Sequence, residues 1–116
     1  MYSAIGAAKH PYGDRRDQFG ELTAPEGREA PWPVAVLVHG GFWRARYRLR
    51  LQDRLVADLS GRGWAVWNLE YRRLGWRSRG GWPATFEDVA ASVDHLGRLD
   101  SPLDLARVVA IGHSAG

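Results

Sequence analysis

Apolar residues along the chain alternate between unbroken runs and evenly spaced ones. Val34-Ala35-Val36-Leu37-Val38 is continuous and β-branched, the habit of a parallel strand buried on both faces. It stops at His39-Gly40-Gly41. From about Ala45 to Leu59 the apolar positions Tyr47, Leu51, Leu55 and Leu59 recur at helical spacing, and Ser60-Gly61-Arg62-Gly63 supplies a glycine stop. A second strand is expected over Trp64–Leu69, leading into Glu70-Tyr71-Arg72 and a long loop with Gly75, Gly80, Gly81 and Pro83. Thr85 followed by Asp88 fits a capping box, so a second helix is predicted there, with Phe86, Val89, Ala90, Val93 and Leu96 on its apolar face as far as Gly97. After Asp100-Ser101-Pro102, Arg107-Val108-Val109-Ala110-Ile111 forms the third strand-like run.

Strand, helix, strand, helix, strand is the order of an α/β fold, with a mostly parallel sheet and helices on its faces. The core is expected over residues 32–116, preceded by a lead-in segment, 1–31, rich in turn formers. Within that segment only Phe19–Thr23 is predicted to pair as a strand. A chain of 116 residues is one domain or part of one. A third strand of this kind needs a covering helix, and the sequence stops at its turn, so the expectation is the N-terminal portion of a single domain with a bare apolar edge.

Composition narrows the function classes. The chain is 45% apolar with six Trp, which excludes a disordered tail. It has no cysteine, which removes disulfides and Cys-ligated metals, and its four histidines are scattered, so no metal or cofactor is expected. No stretch approaches the roughly 18 apolar residues of a membrane span, and the first twenty residues lack a signal-peptide pattern, so a cytoplasmic protein without membrane contact is expected. Of 16 basic residues all but Lys9 are arginine, for a net charge of +3. The densest run, Arg44, Arg46, Arg48, Arg50 and Arg54, is interleaved with Leu51, Leu55 and Leu59 and interrupted by Asp53 and Asp58. That is the polar face of an amphipathic helix, so no nucleic-acid partner is expected.

Two loops carry candidate chemistry. Gly112-His113-Ser114-Ala115-Gly116 is a G-x-S-x-G directly after the third strand run. A nucleophilic serine needs a tight strand-to-helix turn that exposes its oxygen, and flanking glycines relieve the crowding. Read blandly, it is a glycine-rich turn with an idle serine. The second loop, His39-Gly40-Gly41-Phe42-Trp43, follows the first strong strand. Glycines there let backbone N–H groups approach the oxyanion of acyl transfer, where each donor is worth about 3 to 4 kcal/mol. By itself this second loop also reads as a plain strand-to-helix turn.

In this order and on these strand ends, the two motifs resemble the α/β-hydrolase fold over nearly the whole chain. The stretch from His39 to Trp43 is similar to the HGGxW oxyanion motif of kynurenine formamidases (arylformamidases). Glu70-Tyr71-Arg72, with Trp82-Pro83-Ala84 and Asp88, is similar to a stretch of hormone-sensitive-lipase-like esterases. The resemblance implies Ser114 as nucleophile and the N–H groups of Gly41, Phe42 and Ala115 as the oxyanion hole, with His39 and Gly40 opening the oxyanion loop. It implies a small ester or aryl formamide as substrate. The triad acid and histidine of this fold follow the serine, so both are expected after Gly116, and the chain by itself is expected to be inactive. Neither His39 nor His113 is the base by that resemblance.

His10 and His95 read as surface residues, and Trp64 and Trp67 as core. Trp43 is the best candidate for shaping an acyl or aryl pocket, and Arg72, Arg73, Arg77 and Arg79 are able to hold an acidic substrate, although their charge pattern favours a solvated loop. Two other classes stay open: a binding or scaffold protein that kept the hydrolase core without its chemistry, and an arginine-driven nucleic-acid binder.

Overall fold

The computed structural model describes residues 7–39, 52–72 and 83–112. The elements are β1 (Ala7–Pro11), β2 (Phe19–Thr23), β3 (Trp32–Val38), α1 (Asp53–Gly61), β4 (Ala65–Leu69), α2 (Ala84–His95), a single 3-10 turn at Leu96–Arg98, and β5 (Leu103–Gly112). The five strands form one mixed sheet in the order β1-β2-β4-β3-β5. β3 lies parallel to both β4 and β5, while β2 pairs antiparallel with β1 and β4. The segment read as a simple lead-in therefore contributes a hairpin that widens the sheet, and β1 is the strand that periodicity did not reveal.

The buried runs sit at the centre. Val34, Ala35, Val36 and Leu37 of β3 and all five residues of β4 are buried, as expected of strands covered on both faces. One face packs Leu22, Val34, Val36, Trp67, Leu69, Tyr71 and Leu96 together. The other joins Leu37 and Val66 to Val56 of α1, with Leu55, Leu59, Trp64 and Ile111 around them. Gly20 makes the first face possible: a Cβ there would lie 2.3 Å from the Trp67 ring. The Trp67 indole N–H in turn donates to Ser92 Oγ at 3.0 Å, so the ring is buried without an orphaned donor.

α1 ends where the glycines said it would. Trp64 N–H donates to the Leu59 carbonyl and Gly63 N–H to that of Ser60, at 3.1 and 3.2 Å, the bonding pattern of a Schellman stop. Gly63 takes the left-handed conformation it requires, with φ +97°. The part of this helix expected before residue 52 lies outside the described residues.

α2 departs from the expectation in two ways. Its N-cap is Pro83, without a side-chain cap bond, so Thr85 and Asp88 form no capping box. The Thr85 hydroxyl instead donates to the Arg72 carbonyl, and Asp88 is turned to Arg72 and Gln18. The packed face is also only partly the expected one: Val89 and Leu96 pack on the core as predicted and Thr85, Asp88 and Ser92 are buried beside them, while Phe86 and Val93 are 66% and 40% exposed. Burial of these polar groups is tolerated because each meets a partner from another element.

β5 borders the sheet beside β3. Residues 105–110 are exposed, among them Leu105, Val108 and Val109 at 51%, 39% and 47%. Neighbouring strand residues point to opposite faces, so both faces of this edge present apolar surface.

Candidate active site

The sheet brings the two candidate loops to one edge. β3 and β5 run parallel with Val38 opposite Gly112. The chain leaves β3 into His39 and Gly40, and leaves β5 into His113 and Ser114. Both loops therefore depart from register partners at the carboxyl ends of adjacent parallel strands, where open α/β sheets place their ligand sites. Of the residues assigned to the site, His39 is described. Gly40, Gly41, Phe42, Trp43, His113, Ser114 and Ala115 lie outside the described residues.

His39 is fully buried. Its ring Nε2 is 2.7 Å from Glu70 Oε1, a group that is also buried. That oxygen accepts the Tyr71 backbone N–H at 3.2 Å, so it acts as an acceptor and Nε2 donates to it. The Tyr71 hydroxyl donates to the His39 carbonyl at 2.5 Å, and the two rings stack with centroids 4.6 Å apart. With Nε2 engaged by Glu70 inside the protein, the His39 ring is a bracing group at the loop's origin.

A second cluster, built from distant parts of the chain, continues from the first. Asp88 Oδ1 accepts from Arg72 Nη2 and Gln18 Nε2, both at 2.8 Å. Oδ2 accepts from the Arg72 backbone N–H at 2.8 Å and from Nε at 2.9 Å. This two-pronged pairing is the strong form of a charge-assisted bond, and the hydrogen bond to Asp88 raises the Arg72 pKa further above its already high ordinary value. Arg72 is thus committed to the fold, which corrects the expectation that it could hold an acidic substrate. Arg73, Arg77 and Arg79 lie outside the described residues.

Tyr12 closes the cluster. Its hydroxyl donates to the Glu70 carbonyl at 2.5 Å. Burial pushes its pKa far up, and the nearby Asp88 and Glu70 charges add to the shift. Sequence reading missed the parts played by Tyr12 and Gln18, which lie in the lead-in segment without a motif. Glu70 and Asp88 stood in the esterase-like stretch, and their placement added a second signal: charged residues directly after, or inside, runs that must be buried. His10 and His95, read as surface groups, are half-buried near the Trp67 ring, with ring centroids 6.1 and 6.5 Å away. Among the described residues no three His, Asp or Glu side chains converge as metal ligands would, and no helix is long and apolar enough to cross a membrane.

Residues 21–116 match the sequence model of the BD-FAE family. The chain belongs to that family. BD-FAE is an α/β-hydrolase-type family, and solved structures similar to this chain are esterases. Esterase B from Lactobacillus rhamnosis superposes with a TM-score of 0.82 at 26% identity, over 97% of this chain and 37% of its own. It has also been seen with a tributyrin phosphonate inhibitor. A bacterial heroin esterase gives 0.74 at 24% identity over 97% and 37%, and esterase Est2 of Thermogutta terrifontis gives 0.79 at 21% over 97% and 41%. This BD-FAE chain therefore spans about two fifths of the length of these solved relatives. No curated protein matches it.

Proposed function

We propose that this chain carries the nucleophile and oxyanion half of a serine hydrolase that cleaves small carboxylic esters or aryl formamides. The observation that carries the reading is the register match of Val38 with Gly112. It starts the His39-Gly40-Gly41 loop and the Gly112-His113-Ser114-Ala115-Gly116 turn side by side at one sheet edge. Membership of an α/β-hydrolase-type family supports it. A tributyrin phosphonate inhibitor on the Lactobacillus esterase supports a short acyl group.

In this reading Ser114 Oγ attacks the substrate carbonyl while a histidine accepts its proton. The N–H groups of Gly41, Phe42 and Ala115 hold the negative oxygen of the tetrahedral intermediate. The alcohol or aryl amine departs with that proton, leaving an acyl-serine, and water then releases the acid. The acid and histidine of the triad follow Ser114 in the polypeptide. This 116-residue stretch tested alone is inactive, because it holds the hole without the base.

The test is turnover of 4-nitrophenyl acetate and of an N-formyl arylamine by the native enzyme and its Ser114→Ala variant. Ser114→Ala lowers kcat at least about 10⁴-fold with the fold intact. Retained turnover in the variant overturns the assignment.

A further inference from the structure

Backbone donors stabilise an oxyanion only when their positions are set before the charge develops. Gly40 and Gly41 bring no side chain that could set them, and glycine has the widest backbone freedom. The described residue from which the loop departs is His39, and a constraint applied there acts on the loop's first peptide.

That residue is held from two directions by two consecutive residues. Glu70 Oε1 takes the ring Nε2 at 2.7 Å, and the Tyr71 hydroxyl donates to the backbone carbonyl at 2.5 Å. The Tyr71 ring also stacks on the His39 ring, with 21° between their planes. The carbonyl of His39 and the N–H of Gly40 belong to one planar peptide unit. Gripping that carbonyl therefore fixes the first peptide plane of the loop. Glu70 and Tyr71 are themselves tied down: Glu70 N–H donates to the Phe19 carbonyl at 2.8 Å, extending the β2–β4 pairing, and Tyr12 holds the Glu70 carbonyl. The restraint on the loop is thus referred to the rigid centre of the sheet.

We propose that Glu70 and Tyr71 are positioning residues for oxyanion stabilisation, acting through the ring and carbonyl of His39. The assignment rests on the serine-hydrolase reading above. A neutral apolar packing at this spot would fill the same space without fixing a peptide plane, and it would avoid burying a carboxylate and an imidazole.

The experiment uses the native enzyme with Tyr71→Phe, which deletes one oxygen and keeps the ring stack, and with Glu70→Gln, whose amide oxygen still accepts from His39. Ser92→Ala is the control, because it deletes a buried hydrogen bond to Trp67 in the core. Each protein is measured for kcat and KM on a 4-nitrophenyl ester, for the rate at which a 4-nitrophenyl phosphonate labels Ser114, and for Tm. Tyr71→Phe is expected to lower kcat and the labelling rate together by about 10- to 100-fold, the scale of a misplacement of an ångström or less, with KM nearly unchanged. Glu70→Gln loses less than Tyr71→Phe, and Ser92→Ala loses Tm while keeping both rates. A folded Tyr71→Phe enzyme that turns over and labels at the wild-type rate overturns the assignment alone. A wild-type enzyme whose Ser114 is never labelled overturns the hydrolase reading and this assignment with it.

Discussion

Arg72 and Asp88 meet with both prongs: Nη2 lies 2.8 Å from Oδ1 and Nε 2.9 Å from Oδ2, with the carboxylate almost wholly buried. The pair ties the end of β4 to the first turns of α2, and Gln18 adds the lead-in segment to the same carboxylate. Replacing Asp88 by Ala strands the guanidinium and the Arg72 N–H, so a loss of about 3 kcal/mol is expected. Chemical denaturation of Asp88→Ala against wild type measures it. A change within 0.5 kcal/mol, about that of an ordinary surface substitution, would mean that the pair is idle.

Tyr12 gives a prediction in pH. Its folded pKa stands above the ordinary value of 10.0, chiefly through burial. The fold therefore keeps a proton that the unfolded chain releases above about pH 10, so this contribution to stability is intact below pH 10 and is lost as pH climbs from there toward the raised folded value. Denaturation midpoints between pH 8 and 11.5 should fall more steeply for wild type than for Tyr12→Phe. Parallel curves would contradict the burial of that hydroxyl.

Gly20 is expected to tolerate no side chain. A Cβ 2.3 Å from the Trp67 ring must push a buried indole that is also hydrogen-bonded to Ser92. Gly20→Ala should cost about 1 to 3 kcal/mol, as overpacking does, and should shift the near-ultraviolet dichroism of the indole. An unchanged spectrum and stability would show that β2 can move away freely.

How far the sequence disclosed all this follows from what each residue depends on. Val34–Leu37 and the β4 residues 65–69 are apolar throughout, so local pattern alone marks them as buried strands. The Gly63 stop is local too. β1 is five residues with Lys9 and His10 in it, and its pairing is set by β2, so no periodicity announces it. On and just after α2 the periodicity marks Val89 and Leu96, which pack on the core, but not Thr85, Asp88 and Ser92, which are polar and owe their burial to partners 13 to 70 residues away. Of the site, Ser114 and the His39-Gly40-Gly41 loop were readable as motifs, whereas the bracing of His39 by Glu70 and Tyr71 exists only once β3 and β4 lie side by side.

The exposed faces of β5 carry a consequence for the 116-residue polypeptide itself. Val108 and Val109 are neighbours on opposite faces, and they and Leu105 are all substantially exposed. Such an edge recruits other apolar surface, so this polypeptide should bind a hydrophobic dye and self-associate. Leu105→Lys with Val109→Lys should weaken both. A monomer that melts cooperatively without binding dye would contradict the expectation.

The central claim, that Ser114 is an activated nucleophile beside an oxyanion loop, is tested most directly by mass spectrometry of the native enzyme after exposure to a serine-reactive fluorophosphonate. One phosphonyl adduct is expected, carried by the peptide containing Ser114 and absent from the heat-denatured enzyme. An active, folded enzyme with no adduct at Ser114, or with the adduct on another serine, would contradict it.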